Sequence, residues 1–477
     1  MTQATASRPA APGPVDRTSV DWAEVKAALG DIPVIDEPAL VKQKSRDFYW
    51  YSPILKEQLR KVSGDLVVRP RSEADVVAFA REAVRRRLPV TVRGAGTGNY
   101  GQAMPLKGGV VLEMMGMNRL IASGPGWARV EPGMKLIDLD AALRPTGWEM
   151  RFHPSTRRTA SIGGFVAGGS SGVGSITYGS LRERGNVIAA RVVTFEDEPR
   201  VLEFHGDAVD RVNHAYGTNG VITEITIATA PAYEWHDIVV AFADFDAAIG
   251  FAQALARSDG ITKKLVTVVA PPLGQDYFRT LADVLPAGHT AVLLMIGAQS
   301  LVAFADLLAE HAGREVYRKS PEEAAQTVPL YEYSWNHTTL WGLKVDKSIT
   351  YLQVLYPPPN HLEHVRRMRA LLGDEVPLHL EFARFGGEVT CFGLPVVRYS
   401  TPERLAEIIA LHEANGCPVF NPHDYTLEGG GMKKVDALQL AFKREADPYG
   451  LLNPGKMVAW DDPDYRGEEG RTYLFER

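Results

Sequence analysis

The stretch "TVRGAGTGNY", residues 91–100, sets one cation, Arg93, ahead of Gly94, Gly96 and Gly98. Three glycines in five residues leave main-chain N–H groups uncovered, and such a nest stabilises an anion, with a diphosphate the obvious occupant. Residue type excludes two nucleotide signatures. A P-loop closes on Gly-Lys-Ser/Thr, whereas Gly98 is followed by Asn99 and Tyr100. A dinucleotide fingerprint needs a third glycine at position 99 and an immediate helix, whereas this chain runs through Pro105 into the β-rich run Val110 to Met114. Taken alone, the loop reads first as a tight turn that uses glycine for positive φ.

A second segment, "HPSTRRTASIGGFVAGGSSGVGSITYGSLRERGNVI", residues 153–188, carries eight glycines together with Ser155, Thr156, Ser161, Ser170 and Ser171. That is too many flexible residues for ordinary core packing, and it suits backbone wrapped closely round a flat ligand.

The elements around these loops set their positions. "GDLVVRP" reads as a strand, and Ser72 caps a following helix whose apolar positions Val76, Val77, Phe79, Ala80 and Val84 share one side. The strand "PVTVR" follows, an α/β beginning. After the second segment come strands "AARVVTF" and "RVLEF". In "HAYGTNGVITEITIATAPA", Gly217 and Gly220 then flank a turn into an alternating strand with Val221, Thr223, Ile225 and Ile227 on one face. From Trp235 to Phe420, strands such as "DIVVAF", "KLVTVVA", "TAVLLMIGA" and "YLQVLY" alternate with helices such as "FDAAIGFAQALARS", "LVAFADLLAEHAG" and "NHLEHVRRMRALLG". This pattern predicts an antiparallel sheet covered by helices.

At 477 residues, 45% hydrophobic and 23% charged, the chain buries a large core and divides into two or three domains. A net charge of -6 and a pI near 6.1 argue against the basic surface that nucleic acid requires. Two cysteines, Cys391 and Cys417, lack metal-like or catalytic spacing and read as core thiols in a reduced compartment. The Pro- and Ala-rich N-terminus has no signal-peptide pattern and is expected to be disordered. No apolar run is long enough to cross a bilayer, so a cytoplasmic location is expected.

In this order, "VRGAGTGNYGQAMP", "PSTRRTASIGGFVAGG", "YGTNGVITEI" and "DPYGLLNPGKM" resemble four segments of the vanillyl-alcohol oxidase and p-cresol methylhydroxylase superfamily of FAD enzymes. The D-lactate dehydrogenase and glycolate oxidase D-subunit branch is the nearest in pattern. The resemblance runs from about Asp47 onward and implies an α+β fold: a two-subdomain PCMH-type FAD-binding domain and an α+β substrate (cap) domain with an antiparallel sheet. The boundaries it implies are 1–45 for a partly disordered tail, 46–235 for the FAD-binding domain, 236–420 for the substrate domain, and 421–477 for a segment returning to the FAD domain. To the diphosphate it assigns Arg93, Gly94, Ala95, Gly96, Thr97 and Gly98, with Asn99 and Tyr100 nearby. It adds Pro154, Ser155, Thr156, Ser161, Ile162, Gly163, Gly164, Ala167 and Gly169 from the second segment, then Gly220, Val221, Ile222 and, near the C-terminus, Asn453. Main-chain N–H groups would serve both the diphosphate and the charge gathering on a reduced flavin. Some relatives attach flavin through a His in the first loop or a Cys in the second. Thr97 and Ser170 or Ser171 stand in those neighbourhoods, so the resemblance implies noncovalent FAD.

The activity implied is oxidation of the CH–OH carbon of a hydroxy acid or related alcohol by hydride transfer to flavin N5, with a side chain taking the hydroxyl proton. Two alternatives stay open: an aryl or alkyl alcohol oxidase, and a flavin-binding subunit of a larger dehydrogenase complex. The partners are then a small-molecule substrate and an electron acceptor (a carrier protein, a quinone or oxygen), and a homodimer is the default assembly. "NPHDYTLEGGGMK", residues 421–433, occupies the place of the relatives' Glu-His-Gly, with Glu428 kept and Gly429 in place of His. His423 and Tyr425 alternate along an expected extended run, so they are the first candidates for the base, with Glu428 orienting neighbours. "LYEYSWNHTTLWGLKVDKS" sets aromatics around Asn336, His337, Lys344 and Lys347. As a helix it places Tyr333, His337, Leu340, Trp341 and Lys344 on one side, either as core or as a pocket wall. Lys344 and Arg384 are the candidates for holding a carboxylate. His379 and Glu381 share a strand face and read as a satisfied structural pair. The relatives' His-x-Gly-Asp-Gly-Asn-x-His metal pattern is missing, so no metal is expected.

Overall fold

The computed structural model describes residues 13–169, 171–432, 436–462 and 464–465. Its first layer grows from the strand–helix–strand unit. Ser72 accepts the Asp75 amide at 3.2 Å and caps the helix Glu73–Arg85, which buries Val76, Phe79, Ala80, Ala83 and Val84. Losing such a cap costs roughly 1 kcal/mol. This helix crosses between the strands Leu66–Val68 and Val90–Arg93, both of which run parallel to Val110–Glu113. The glycine loop leaves directly from the end of Val90–Arg93.

The fourth strand of this sheet, Val34–Ile35, pairs antiparallel with Leu66–Val68. The expected tail through residue 45 is therefore corrected. The helices Trp22–Ala28 and Pro38–Lys44, capped by Asp21 and Glu37, pack on the FAD-domain side, with Val25 and Val41 buried. Residues 1–12 lie outside the described part.

The second layer is a six-stranded sheet centred on Val221–Pro231, flanked by Trp127–Val130 and Val187–Val193, with Trp148–Met150 also paired to it. Its core, including Val130, Leu139, Ile162, Phe165, Val192 and Ile225, is separate from that of the first sheet.

The third layer is an antiparallel sheet of seven strands, ordered Arg314–Lys319, Trp235–Phe242, Thr290–Gly297, Lys263–Val269, His379–Phe385, Glu388–Gly393 and Val354–Tyr356. Period-two alternation decides what each face touches. Ile238, Val240, Val266, Val268, Val292 and Leu294 join a core that includes buried residues of the helices Phe245–Arg257, His361–Leu372 and Pro402–Ala414. Val239, Leu265, Leu293 and Met295 point the other way, into a layer with Tyr51, Tyr100, Tyr331, Tyr333 and Tyr351. Because both faces are covered, the strands read as continuous apolar runs.

Three local expectations change. "YLQVLY" is two strands in different sheets, Ile349–Tyr351 pairing Val396–Arg398 and Val354–Tyr356 pairing Glu388–Gly393. Residues 421–432 are a turn followed by a π-helical stretch, Leu427–Met432, and not an extended run. The helix expected from Tyr333 starts at Asn336, because Trp335 breaks it with φ 50° and ψ −139°.

A buried ion pair joins the second and third layers. Lys264 Nζ lies 2.6 Å from Glu149, both side chains being at most 5% exposed. The Lys264 ammonium also donates to the Met150 carbonyl, and its main-chain oxygen accepts from Gly174. Removing one member of a buried pair strands the other charge. Glu149→Leu is expected to lower stability by about 3–5 kcal/mol, read as a lower urea midpoint, and Glu149→Leu/Lys264→Met to recover most of that loss.

Candidate flavin site

The two glycine segments meet. A Cβ on Gly94 would stand 2.1 Å from Ser161 Oγ and 3.4 Å from the Gly164 nitrogen. Gly96 holds φ +70°, and a Cβ there would enter the Arg93 guanidinium. The first loop is fastened from behind. Arg93 donates to the Arg46 and Ala95 carbonyls, at 2.5 and 3.0 Å, and Gly98 accepts from the Phe48 amide at 2.7 Å. In the second segment Ser161 caps the helix Ile162–Gly168 through the Gly164 amide.

Between them opens a cleft. Arg93, Gly94, Ala95, Gly96, Thr97, Gly98 and Asn99 line one side, and Pro154, Ser155, Thr156, Ser161, Gly163, Gly164 and Ala167 the other, with Gly220 and Ile222 also in the wall. The nest expected to work without a helix thus has the first turn of Ile162–Gly168 facing it across the cleft. Among the described residues, buried Asn99 Nδ2 has no hydrogen-bond partner in this wall. A long ligand with several oxygens and a flat ring system suits a wall of glycine backbone and an unpaired polar group, which is the fit FAD requires.

Several expected contacts fall outside the cleft. Tyr100 turns away and donates to the Phe420 carbonyl at 3.2 Å. Ile162 and Val221 are core residues of the second and first layers. Gly169 ends its helix at φ +66°, where a Cβ would collide with His214. Asn453 acts through the wall, its Nδ2 donating to the Gln102 and Tyr216 carbonyls at 2.9 and 2.6 Å. Ser170 and Lys433 lie outside the described residues.

The catalytic assignments need more correction. His423 is buried with both ring nitrogens used: Nδ1 lies 2.7 Å from the Ser52 hydroxyl and Nε2 3.0 Å from the Tyr351 carbonyl. Burial lowers its pKa to about 4, the Tyr351 carbonyl pulling the other way, so the ring is neutral and clamps two segments. Tyr425 does not share a face with it and packs with Leu55, Leu59 and Met104, the Lys456 ammonium standing 4.8 Å from its ring centre. Glu428 accepts the Val458 and Ala459 amides, both at 2.9 Å, and so caps a short helix; burial raises its pKa. Arg384 binds Asp259 at the surface and the Ile176 carbonyl. Lys344 is exposed and lies over the Trp341 ring. His379 and Glu381 do pair, at 2.8 Å and fully buried. Among the described residues no cluster of three or more His, Cys, Asp and Glu side chains forms a metal site.

Four further polar residues, which the resemblance does not assign to the cofactor, line the wall: Asp47, Gln102, Tyr216 and Asn336. Asp47 accepts the Tyr49 amide at 3.0 Å and the Ala103 amide at 3.1 Å. Burial pushes its carboxyl up to about 6, while those amides, Lys456 and Arg93 pull it down. Asn336 is the one wall residue contributed by the chain between 235 and 420. The signal for Tyr216 was its place beside Gly217; nothing local marks Asp47.

A cleft built this way is that of an FAD-binding fold, and comparison with known proteins agrees. The FAD binding domain family matches residues 64–201. The chain is 28% identical to glycolate oxidase subunit GlcD of Bacillus subtilis (strain 168) over 440 residues, 83% of this chain and 89% of that one. It is 41% identical to D-2-hydroxyglutarate dehydrogenase of Escherichia coli (strain K12) over 135 residues, 27% of this chain, so the match spans only 13% of that relative. The solved structure of alkyldihydroxyacetonephosphate synthase superposes with a TM-score of 0.69 at 15% identity, covering 92% of this chain and 86% of that one, a likeness of fold. Residues 64–201 thus form an FAD-binding domain, and the chain as a whole shares the fold of the synthase. Among the described residues no helix is long and apolar enough to cross a membrane.

Gly94→Val is expected to force the segments apart and lower the flavin-to-protein absorbance ratio by about tenfold, with the far-UV circular dichroism unchanged. His423 supplies a stability test. Its folded pKa of about 4 lies below the ordinary 6.5, so the stability owed to the neutral ring is fully present above pH 6.5 and is lost as pH falls toward 4. His423→Gln is expected to flatten that part of the urea-midpoint profile, by roughly 3 kcal/mol across the window.

Proposed function

We propose that the chain is an FAD-dependent oxidoreductase that oxidises the CH–OH carbon of a 2-hydroxy acid or a related alcohol. One observation carries the reading: both glycine segments line a single cleft that Asn336, from the chain between 235 and 420, also reaches. The relatives named for glycolate and 2-hydroxyglutarate support a hydroxy-acid substrate.

Bound FAD would supply the two-electron acceptor. Arg93 to Gly98 and Ser161 to Gly164 would hold its diphosphate. The proposed attachment is noncovalent, since neither histidine nor cysteine is among the residues lining the cleft. Asp47 takes over the role first given to His423. It is a buried carboxylate in the wall, and at neutral pH it is ionised and able to accept the substrate hydroxyl proton. A second reading, an uncharged aryl or alkyl alcohol, is favoured by one finding: Arg384 and Lys344, the cations expected to hold a carboxylate, stand outside the cleft.

The purified protein is expected to be yellow and to release its colour into the supernatant on acid precipitation. Anaerobic mixing with glycolate, lactate, 2-hydroxyglutarate and benzylic alcohols should bleach the flavin with at least one of them. The bleaching rate should fall as pH drops below about 6, and Asp47→Asn should slow it by more than about a hundredfold with flavin still bound. A colourless protein that ignores added FAD would end this reading.

A further inference from the structure

We propose that Asn336 anchors the substrate and that, because this anchor is a neutral amide, the site accepts 2-hydroxy carboxamides and esters about as readily as the free acids. The inference rests on the CH–OH oxidoreductase reading.

Asn336 brings the cap sheet's side of the molecule to the cleft, as the first residue of the helix Asn336–Val345. Its Oδ1 accepts from Gln353 Nε2 at 3.1 Å. The tether occupies the oxygen and leaves the amide's two N–H groups without a partner among the described residues, on a residue that lines the cleft. An N–H pair in that position donates to an oxygen.

The backbone before it is held under strain. Trp335 sits at φ 50° and ψ −139°, a region that a residue with a side chain avoids. Such a conformation persists only where its surroundings over-determine it, and it is found where position matters for function. Here the Trp335 amide donates to Glu381 at 2.6 Å. The same carboxylate accepts the Thr267 hydroxyl at 2.6 Å and lies 2.8 Å from His379 Nε2, all three side chains being buried in the sheet. The pair that spacing marks as structural thus fixes where Asn336 stands, and Glu381 is its positioning residue.

The cations are engaged elsewhere. Arg384 is bound to Asp259, Lys344 lies over Trp341, and both terminal nitrogens of Arg93 donate to main-chain carbonyls. A substrate oxygen arriving from the cap side meets an amide donor, which binds a carboxylate, an amide carbonyl and an ester carbonyl alike. A site built on a bidentate arginine would instead favour the carboxylate strongly.

The test uses FAD-loaded full-length protein and stopped-flow flavin reduction by mandelate, mandelamide and methyl mandelate. Wild-type Kd values for the three should agree within about tenfold, and Asn336→Ala should raise each by about tenfold at unchanged flavin content. Asn336→Asp should repel mandelate yet accept from the mandelamide NH2, favouring the amide by at least about tenfold. Glu381→Gln should weaken binding while leaving the limiting reduction rate within about twofold, the split a displaced anchor gives and a folding defect does not. Unchanged Kd values in Asn336→Ala, or mandelate bound more than about a hundredfold tighter than mandelamide by the wild type, would overturn the inference. If no compound reduces the wild type, the proposed reaction fails. The anchor is then judged by titrating benzoylformate and benzoylformamide against the flavin absorption band. Weaker binding of both by Asn336→Ala upholds it, and equal binding or none refutes it.

Discussion

The approach of Gly94 to Ser161 is the contact on which the site depends. Two chain segments, at Gly94 and Ser161, come so close that even one methyl group would fall on the opposing hydroxyl. At that point of approach only glycine backbone fits, so peptide N–H groups of both segments enter the wall beside side chains such as Ser155 and Thr156. The surrounding architecture serves this closeness. The parallel strands aim the first loop, the helix cap at Ser161 sets the second, and Arg93 ties the first loop to Arg46 from behind.

The third layer supplies what backbone cannot. Its sheet is covered by helices on one face and by tyrosines on the other, and that aromatic layer includes Tyr51 and Tyr100 from the FAD side. The interface is sealed by apolar area and by the Lys264–Glu149 pair, and from the chain between 235 and 420 Asn336 alone lines the cleft. The backbone breaks just before it, at Trp335. A regular helix from Tyr333 would have carried the apolar and aromatic stripe that periodicity suggests, and the break substitutes a single amide.

The difference between what was legible and what was not follows from this division. Glycine spacing reports where backbone is uncovered but leaves a plain turn open, and it is the family resemblance that points to residues 93–99 and most of 154–167, which line the cleft. Strand and helix periods located the cap sheet, because burial on both faces leaves long apolar runs. Polar side chains carry no such report. His423, Glu428 and Lys344 have the right chemistry, but whether a group faces a ligand or a neighbouring carbonyl is settled by tertiary contacts hundreds of residues apart, such as His423 with Ser52. Asp47 belongs to no pattern, and Asn336 is marked only as one polar residue of an aromatic stretch; a loop clamp and a strained backbone place them.

Burial then decides which polar groups remain available for chemistry. Lys456 is fully buried, its ammonium donating to the Gly101 carbonyl at 2.5 Å, and burial draws its pKa down to about 7. His423 spends its ring nitrogens on the Ser52 hydroxyl and the Tyr351 carbonyl, and Glu428 its oxygens on two amides, which lowers the cost of burying them and removes them from reaction. Asp47 differs in kind. Each of its oxygens accepts one main-chain N–H, and an ionised carboxylate has further lone pairs to offer. A group that is held in place yet not saturated, in the wall of the cleft, can still exchange a proton. The same reasoning separates Asn336, tethered by one end, from Asn453, whose N–H groups are both engaged by the walls it joins.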